Sequence, residues 1–277
     1  MTSSNSISTP PSTPAAAVMP ALYLPHGGGP AFFMQGPMAQ LFDPMKEFLA
    51  ALPSSLPEQP RAIVVVSAHW EAETVQVSSG THHDLLFDYY GFPQETYSLT
   101  YPASGSPELA DRVIELLSTA GIPAEPNSVR GWDHGVFIPL KVMYPEAEIP
   151  LVAMSLHAGL NAEEHGRIGA ALRSLRQEGV LIIGSGMSYH NLSELTGSAP
   201  GSLEFDRYLD EALRGPGSHR RTRLNAWEDE PTGRSAHPRE EHLIPLMVAS
   251  AAGSDLPGDK IWAGHVGPSL VSAWSFS

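Results

Sequence analysis

The chain has 277 residues, 42% of them hydrophobic, and a formal net charge of −14 with its 12 histidines counted as neutral. That length suits one large α/β domain or two small ones. The acidic balance argues against nucleic acid or an anionic membrane as partner, because both require a basic face; an anionic small substrate stays open, since a pocket can differ in sign from the whole. The chain contains no cysteine, which excludes disulfides and thiolate-bound clusters and points to a reducing, cytoplasmic setting. No apolar stretch approaches the ~20 residues of a membrane span.

Residues 1–18, rich in Ser, Thr, Pro and Ala, read as a disordered tail: they lack the basic start and apolar centre of a secretory signal and have too little apolar surface to repay ordering. Residues 21–25 read as a short buried strand. Leu41, Phe42, Met45, Phe48, Leu49 and Leu52 recur at helical spacing over 38–52. The β-branched run at 62–66 reads as a strand buried on both faces, followed by a weaker one at 74–78. Pro107 and Glu108 open a helix over 107–120, and a further helix starts after Asp133, over 136–143. A strand at 150–156 precedes a helix over 161–178 that Asn161 starts and Gly179 closes. Another buried strand spans 180–184, helices return at 203–213 and 239–252, and a final strand lies near 261–264. The polar, Gly-, Pro- and Arg-containing segment 214–238 reads as a long surface loop, with Arg220, Arg221 and Arg223 as a solvated cluster or, in a sharper reading, an arm that attracts a carboxylate. Strands alternating with helices, with continuous apolar strands, predict a single α/β domain over 19–277 built on a central mixed or largely parallel sheet flanked by helices.

Five histidines stand out. His26 follows the first strand, in Leu-Pro-His-Gly-Gly-Gly-Pro, and His69 follows the strand ending at Val66. His134 lies in a Gly-Trp-Asp-His-Gly turn, and His190 follows the 180–184 strand through Gly184-Ser185-Gly186. His242 sits in the first turns of a helix beginning near Pro238. Ligands of open α/β sheets bind beyond the carboxyl ends of the strands, so His26, His69 and His190 can meet there. Imidazole is the commonest metal ligand and titrates nearest neutral pH; without cysteine, any metal site here uses nitrogen and oxygen. A lone strand-end histidine is usually structural. Gly27, Gly28 and Gly29 favour the functional reading of His26 by leaving room beside the ring, and Gly184 and Gly186 do the same for His190. His242 looks bland on local context, and His237 is close enough in sequence to share its cleft. No Walker lysine follows Gly27-Gly28-Gly29, and Gly184-Ser185-Gly186-Met187-Ser188 lacks nucleophile-elbow spacing, which argues against nucleotide binding and serine hydrolysis.

In chain order the motifs are His26-Gly27, Ser67-Ala68-His69-Trp70, Gly91-Phe92-Pro93, Tyr101-Pro102-Ala103, Trp132-Asp133-His134-Gly135, Tyr144-Pro145, His190-Asn191-Leu192 and Glu241-His242 with Pro245-Leu246. Together they resemble the DODA-type (4,5-DOPA) extradiol aromatic ring-opening dioxygenases of the LigB-like class III superfamily, from about residue 21 to 270. The resemblance implies one divalent metal held by His26, His69 and His242, with Glu241 set aside as third ligand in favour of His242. It makes His190 a catalytic base or a fourth ligand, and His134 a second active-site histidine facing a substrate hydroxyl or a developing oxyanion. The first motif departs from the family's usual His-Gly-Ser-Pro, reading His26-Gly27-Gly28-Gly29-Pro30 here. The reaction implied is ring opening of a catechol by O2 to a muconic semialdehyde. Three imidazoles leaving open positions suit iron(II); zinc fits the same ligands without redox chemistry, and is able to occupy the site on purification. A zinc hydrolase on this scaffold and a non-catalytic metal-binding protein are the rival readings.

Overall fold

The computed structural model describes residues 17–194 and 197–277. The expected tail at 1–18 therefore lies outside the described residues, apart from Ala17, whose N–H donates to Glu58 Oε1 (3.0 Å), and Val18. Eight strands are present: β1 (Ala21–Pro25), β2 (Ala62–Ala72), β3 (Val75–Ser78), β4 (Ala124–Asn127), β5 (Leu151–His157), β6 (Val180–Gly186), β7 (Asp259–Val266) and β8 (Ser269–Phe276). Between them run the helices α1 (Pro37–Gln40), α2 (Asp43–Ala51), α3 (Pro107–Thr119), α4 (His134–Met143), α5 (Ala162–Leu172), α6 (Ser202–Leu213), α7 (Gly217–Asn225), α8 (Gly233–Ala236) and α9 (Ile244–Ala252).

All eight strands join one sheet in the order β4-β3-β5-β2-β6-β1-β8-β7. Its centre, β5-β2-β6-β1, is parallel. The flanks turn antiparallel where β3 meets β5 and where β8 meets β1 and β7. The apolar runs of β1, β5 and β6 are buried along nearly their whole length, as central strands covered on both faces must be. Helix α9 lies against β6 and β1 with α5 packed on it, and α4 lies against β2 with α2 packed on it. The expected α/β layer fold is the observed one.

Several local expectations are corrected. Residues 214–238 are not a loop: they hold α7 and α8, whose polar composition hid them because only Arg220 and Leu224 of α7 turn inward. Arg220 is fully buried, its guanidinium donating to the carbonyls of Gly215, Ser250, Ser254 and Leu256, so it caps the C-terminal end of α9 instead of lying in solvent. Strand β8, buried against β1, was not foreseen, nor was the edge strand β4. Strand β2 runs on to Ala72, so His69 lies inside it, where pairing with β5 shifts register between Val66 and Glu71; a bulge of this kind redirects a side chain. Helix α9 begins at Ile244, placing His242 in the turn before it.

Candidate metal centre

The carboxyl ends of the adjacent strands β2, β6 and β1 lie side by side, and the five histidines gather there. His26 directly follows β1, where its N–H donates to the Gly186 carbonyl (3.2 Å). His69 comes from the bulged part of β2. His242 is brought in by the turn before α9, whose backbone presses onto β6: a Cβ on Gly186 would sit 2.1 Å from the His242 carbonyl oxygen, and one on Gly184 would sit 2.2 Å from that of Pro245. Those two glycines therefore serve the approach of the α9 segment, not space beside His190. Beside His26, Phe32, Phe42 and Phe92 pack over Gly27, Gly28 and Gly29, with Gly27 and Gly29 at φ +81° and +52°, while Gly27 and Gly28 still border a small cleft.

Three nitrogens converge. His69 Nε2 lies 3.0 Å from His26 Nε2 and 3.2 Å from His242 Nε2. The far nitrogen of each ring faces an acceptor. Ser185 gives its own hydroxyl proton to the Gly135 carbonyl (2.5 Å), so its Oγ accepts from His26 Nδ1 (3.0 Å). His242 Nδ1 donates to Glu241 Oε1 (2.8 Å). His69 Nδ1 faces Asp88 Oδ2 at 3.5 Å. With protons on Nδ1, three bare Nε2 lone pairs point at one another, an arrangement that repels until a cation lies among them. Ligand bonds of ~2.1 Å at angles of roughly 90–110° put nitrogens about 3.0–3.4 Å apart, so the observed spacings fit one ion held on three corners. Burial, reinforced by neighbouring imidazoles, holds His26 and His242 far below the usual histidine range. His69 is pushed down to about 3, chiefly by burial and His134, with Asp88 opposing. All three are thus neutral, as metal ligation requires.

His134 and His190 flank this trio, His134 grouped with His69 and Asp88, and His190 with Glu241 and His242. His134 opens α4; its backbone N–H and its Nδ1 both donate to Asp88 Oδ1 (2.9 and 2.8 Å), and its ring centroid is 3.9 Å from that of His69. Burial works to raise the Asp88 pKa, but its hydrogen bonds to His134 and the neighbouring imidazoles outweigh it and leave the carboxylate below its ordinary value. His190 stacks on His242, centroids 3.4 Å apart and planes 18° from parallel, with its Nδ1 3.6 Å from Glu241 Oε1. Burial first, then His134, pushes His190 down to about 4. His190 also borders a small, mainly apolar cleft lined by Gly28, Phe42, Met187, Leu192 and Val271. Burial raises the Glu241 pKa although Arg239 opposes it.

His242, bland by local context, is thus buried in the centre of the site. His237 does not line the cleft: it is fully buried against Phe205 and Trp227, and its Nε2 donates to the Ser188 carbonyl (3.1 Å). Sequence reasoning missed Asp88 and Ser185, and it weighed Glu241 only as a rival ligand. A charged residue inside the aromatic run Phe87-Asp88-Tyr89-Tyr90 was the available signal for Asp88; Ser185 carries none. Asp133, the residue before α4, does not cap it. Its buried carboxylate accepts from Ser67 Oγ (2.6 Å) and Arg130 (3.3 Å) instead, and burial with the nearby Asp88 charge raises its pKa.

Residues 20–276 match the family model described as the catalytic LigB subunit of aromatic ring-opening dioxygenase. A 4,5-DOPA dioxygenase extradiol of Beta vulgaris is 39% identical over 243 residues, covering 83% of this chain and 90% of the relative. The protein of that name from Escherichia coli K12 is 35% identical over 240 residues, covering 84% and 85%. A crystal structure of an uncharacterized protein from Escherichia coli K12 superposes with a TM-score of 0.77 at 31% identity, covering 94% of this chain and all of the other. The chain belongs to the LigB family of aromatic ring-opening dioxygenases and is an enzyme of the extradiol ring-cleaving kind.

Proposed function

We propose that the enzyme opens the ring of a catechol-type substrate with O2, giving a muconic semialdehyde-type product. The observation that carries this reading is the convergence of three Nε2 atoms, His69 being 3.0 and 3.2 Å from the other two, beside an apolar cleft with a fourth imidazole on its wall. In this reading His26, His69 and His242 hold one divalent metal, which we take to be iron(II). When bound, iron supplies the redox chemistry that passes electrons from a catecholate to dioxygen, which zinc cannot supply.

The chain's own residues bind, orient and move protons. The apolar cleft receives the aromatic ring. His190 is the base for a catechol hydroxyl: it borders the cleft, lies against His242, and stands outside the three-nitrogen group. We take it as a proton carrier, the fourth-ligand role being the alternative that its grouping with Glu241 and His242 leaves open. His134, with Nδ1 committed to Asp88, presents Nε2 as the second proton-handling atom. Proton transfer by a positioned imidazole is worth roughly 10²–10⁴ in rate. A cytoplasmic setting is favoured by the cysteine-free sequence, and no helix among the described residues is long and apolar enough to cross a membrane.

The test is oxygen uptake with a panel of catechols after anaerobic loading with iron(II), followed together with the coloured ring-opened product. Uptake matched by product formation is expected. His190→Ala is expected to retain metal and lose at least 100-fold in turnover, on the scale of acid–base catalysis, whereas His26→Ala and His69→Ala lose metal by elemental analysis. Ester hydrolysis by the zinc form without oxygen uptake would overturn the reading.

A further inference from the structure

Away from the metal centre, helices α5, α7 and α9 enclose a cavity of about 290 Å³. Four of the chain's 16 cationic side chains line it: Arg167, Arg173, Arg220 and Arg221, against two carboxylates, Glu163 and Asp255. A local excess of positive charge in a protein of net charge −14 requires a reason. Two of the arginines have a structural one. Arg220 is consumed by backbone carbonyls, and Arg173 donates through Nε and Nη2 to the Ala251 carbonyl (3.3 and 3.0 Å), both capping α9. Arg173 also keeps only a long contact to Asp255, at 3.7 Å.

Capping does not account for Arg167 and Arg221. Both are exposed on the rim, neither reaches α9, and Arg167 makes only a 3.5 Å contact to the Ala120 carbonyl. Nor does it account for Gly166 on the cavity wall. Glycine in a helix interior costs about 0.5–1 kcal/mol against alanine, and packing usually explains it. On the same helix, a Cβ at Gly169 would meet the Val248 carbonyl oxygen at 2.1 Å. At Gly166 a Cβ would meet nothing within 4 Å. The space is open, and with Ala162 and Ala170 one turn to either side this stripe of α5 carries nothing larger than a methyl group. Leu224 and Met247 supply apolar surface within it.

We infer that this cavity is a binding site for a small organic oxyanion, a carboxylate or phosphate carried on an apolar body. The rim guanidiniums of Arg167 and Arg221 recognise the anion through their fork geometry, the capped Arg173 and Arg220 add field, and the wall of α5 with Leu224 and Met247 receives the body. The size suits a compact ligand at the lower end of small-molecule sites.

The test titrates metal-loaded enzyme by calorimetry at low salt with phthalate and with phenyl phosphate, using benzamide as the neutral control. Three proteins are compared: the natural chain, the double variant Arg167→Gln/Arg221→Gln, and Gly166→Leu, which fills the cavity. Both altered sites are tolerant, the arginines being exposed and the glycine facing open space, so the variants fold; oxygen uptake with catechol should be unchanged in both. Saturable binding of at least one anion, weakened tenfold or more in both variants and absent for benzamide, is the expected result. The tighter of the two anions identifies a carboxylate or a phosphate source. No saturable binding of either anion overturns the inference. So does binding of equal strength in all three proteins, which would place the anion elsewhere, as at the metal centre.

Discussion

The approach of His242 to the other two imidazoles depends on a residue with no side chain. In Gly186→Ala the new Cβ would lie 2.1 Å from the His242 carbonyl oxygen, whereas such contacts are essentially never shorter than 3.0 Å, so the turn must retreat by at least about 0.9 Å. That carbonyl accepts from Tyr23 Oη (2.8 Å) and from the Met187 N–H (3.1 Å), and retreat strains both bonds. Metal–ligand distances tolerate only about 0.2 Å, so the displacement carries Nε2 out of range even if the ring swings to follow. Overpacking of this size typically costs about 1–3 kcal/mol, and metal affinity is expected to fall at least tenfold, on the scale at which outer-shell changes act. Chelator competition with elemental analysis measures the affinity, and urea unfolding of the metal-free protein measures stability. Gly253→Ala is the control: its Cβ would lie 2.3 Å from Phe276 Cβ, at the far end of α9, so it should lose stability and keep the metal. Wild-type metal affinity in Gly186→Ala, or equal loss in both variants, would refute the claim that β6 glycines place His242.

Asp88→Asn should lower metal affinity roughly tenfold, on the scale of outer-shell changes, and kcat roughly 10–100-fold, a part of the acid–base contribution, because His69 loses the carboxylate facing its Nδ1 and His134 the charge that orders its ring; unchanged affinity and kcat would remove Asp88 from the site. Arg220→Met should cost 3 kcal/mol or more in urea unfolding by orphaning the carbonyls at the end of α9, while Arg221→Met, exposed, stays within about 0.5 kcal/mol; equal costs would show that the burial of Arg220 does not matter. Burial lowers the pKa of His165, which accepts from the His157 N–H (3.1 Å) on Nε2 and donates from Nδ1 to the Asn161 carbonyl (2.7 Å). A histidine depressed in the folded state contributes stability that is complete above its unfolded value of ~6.5 and is lost as pH falls below it, by up to about 1.4 kcal/mol per pH unit. The wild type should therefore lose stability faster than His165→Gln on acidification below pH ~6.5, and parallel curves would show that this histidine is not held neutral by the fold.

The centre of the fold was legible because its strands are continuous apolar runs that read the same in any context. What was lost lies where tertiary contacts decide. Strand β8 carries Ser at every third position (269, 272 and 275), a spacing that matches neither strand alternation nor an apolar run, and it is buried where β1 pairs with it. Helix α7 is polar at seven of its nine positions and helical because Arg220 and Leu224 lock onto the core. The histidines divide the same way. His26 and His69 were legible because strand and histidine are neighbours in the chain. His242 was not, because its place depends on α9 crossing β6, a contact between residues more than fifty positions apart; only the family pattern pointed to it.

The same division explains why the supporting residues escaped notice. A ligand histidine is chemically distinctive, but the group that sets its tautomer is any acceptor in the right place. Here there are three acceptors of two kinds: the Ser185 hydroxyl, itself committed to Gly135, and the Glu241 and Asp88 carboxylates. No pattern in the sequence ties serine at 185 to histidine at 26. Yet without these acceptors each imidazole is free to put its proton on Nε2, and three N–H groups meeting at about 3 Å would exclude a cation as firmly as three lone pairs invite one. The ability to hold metal therefore lies as much in these acceptors as in the histidines.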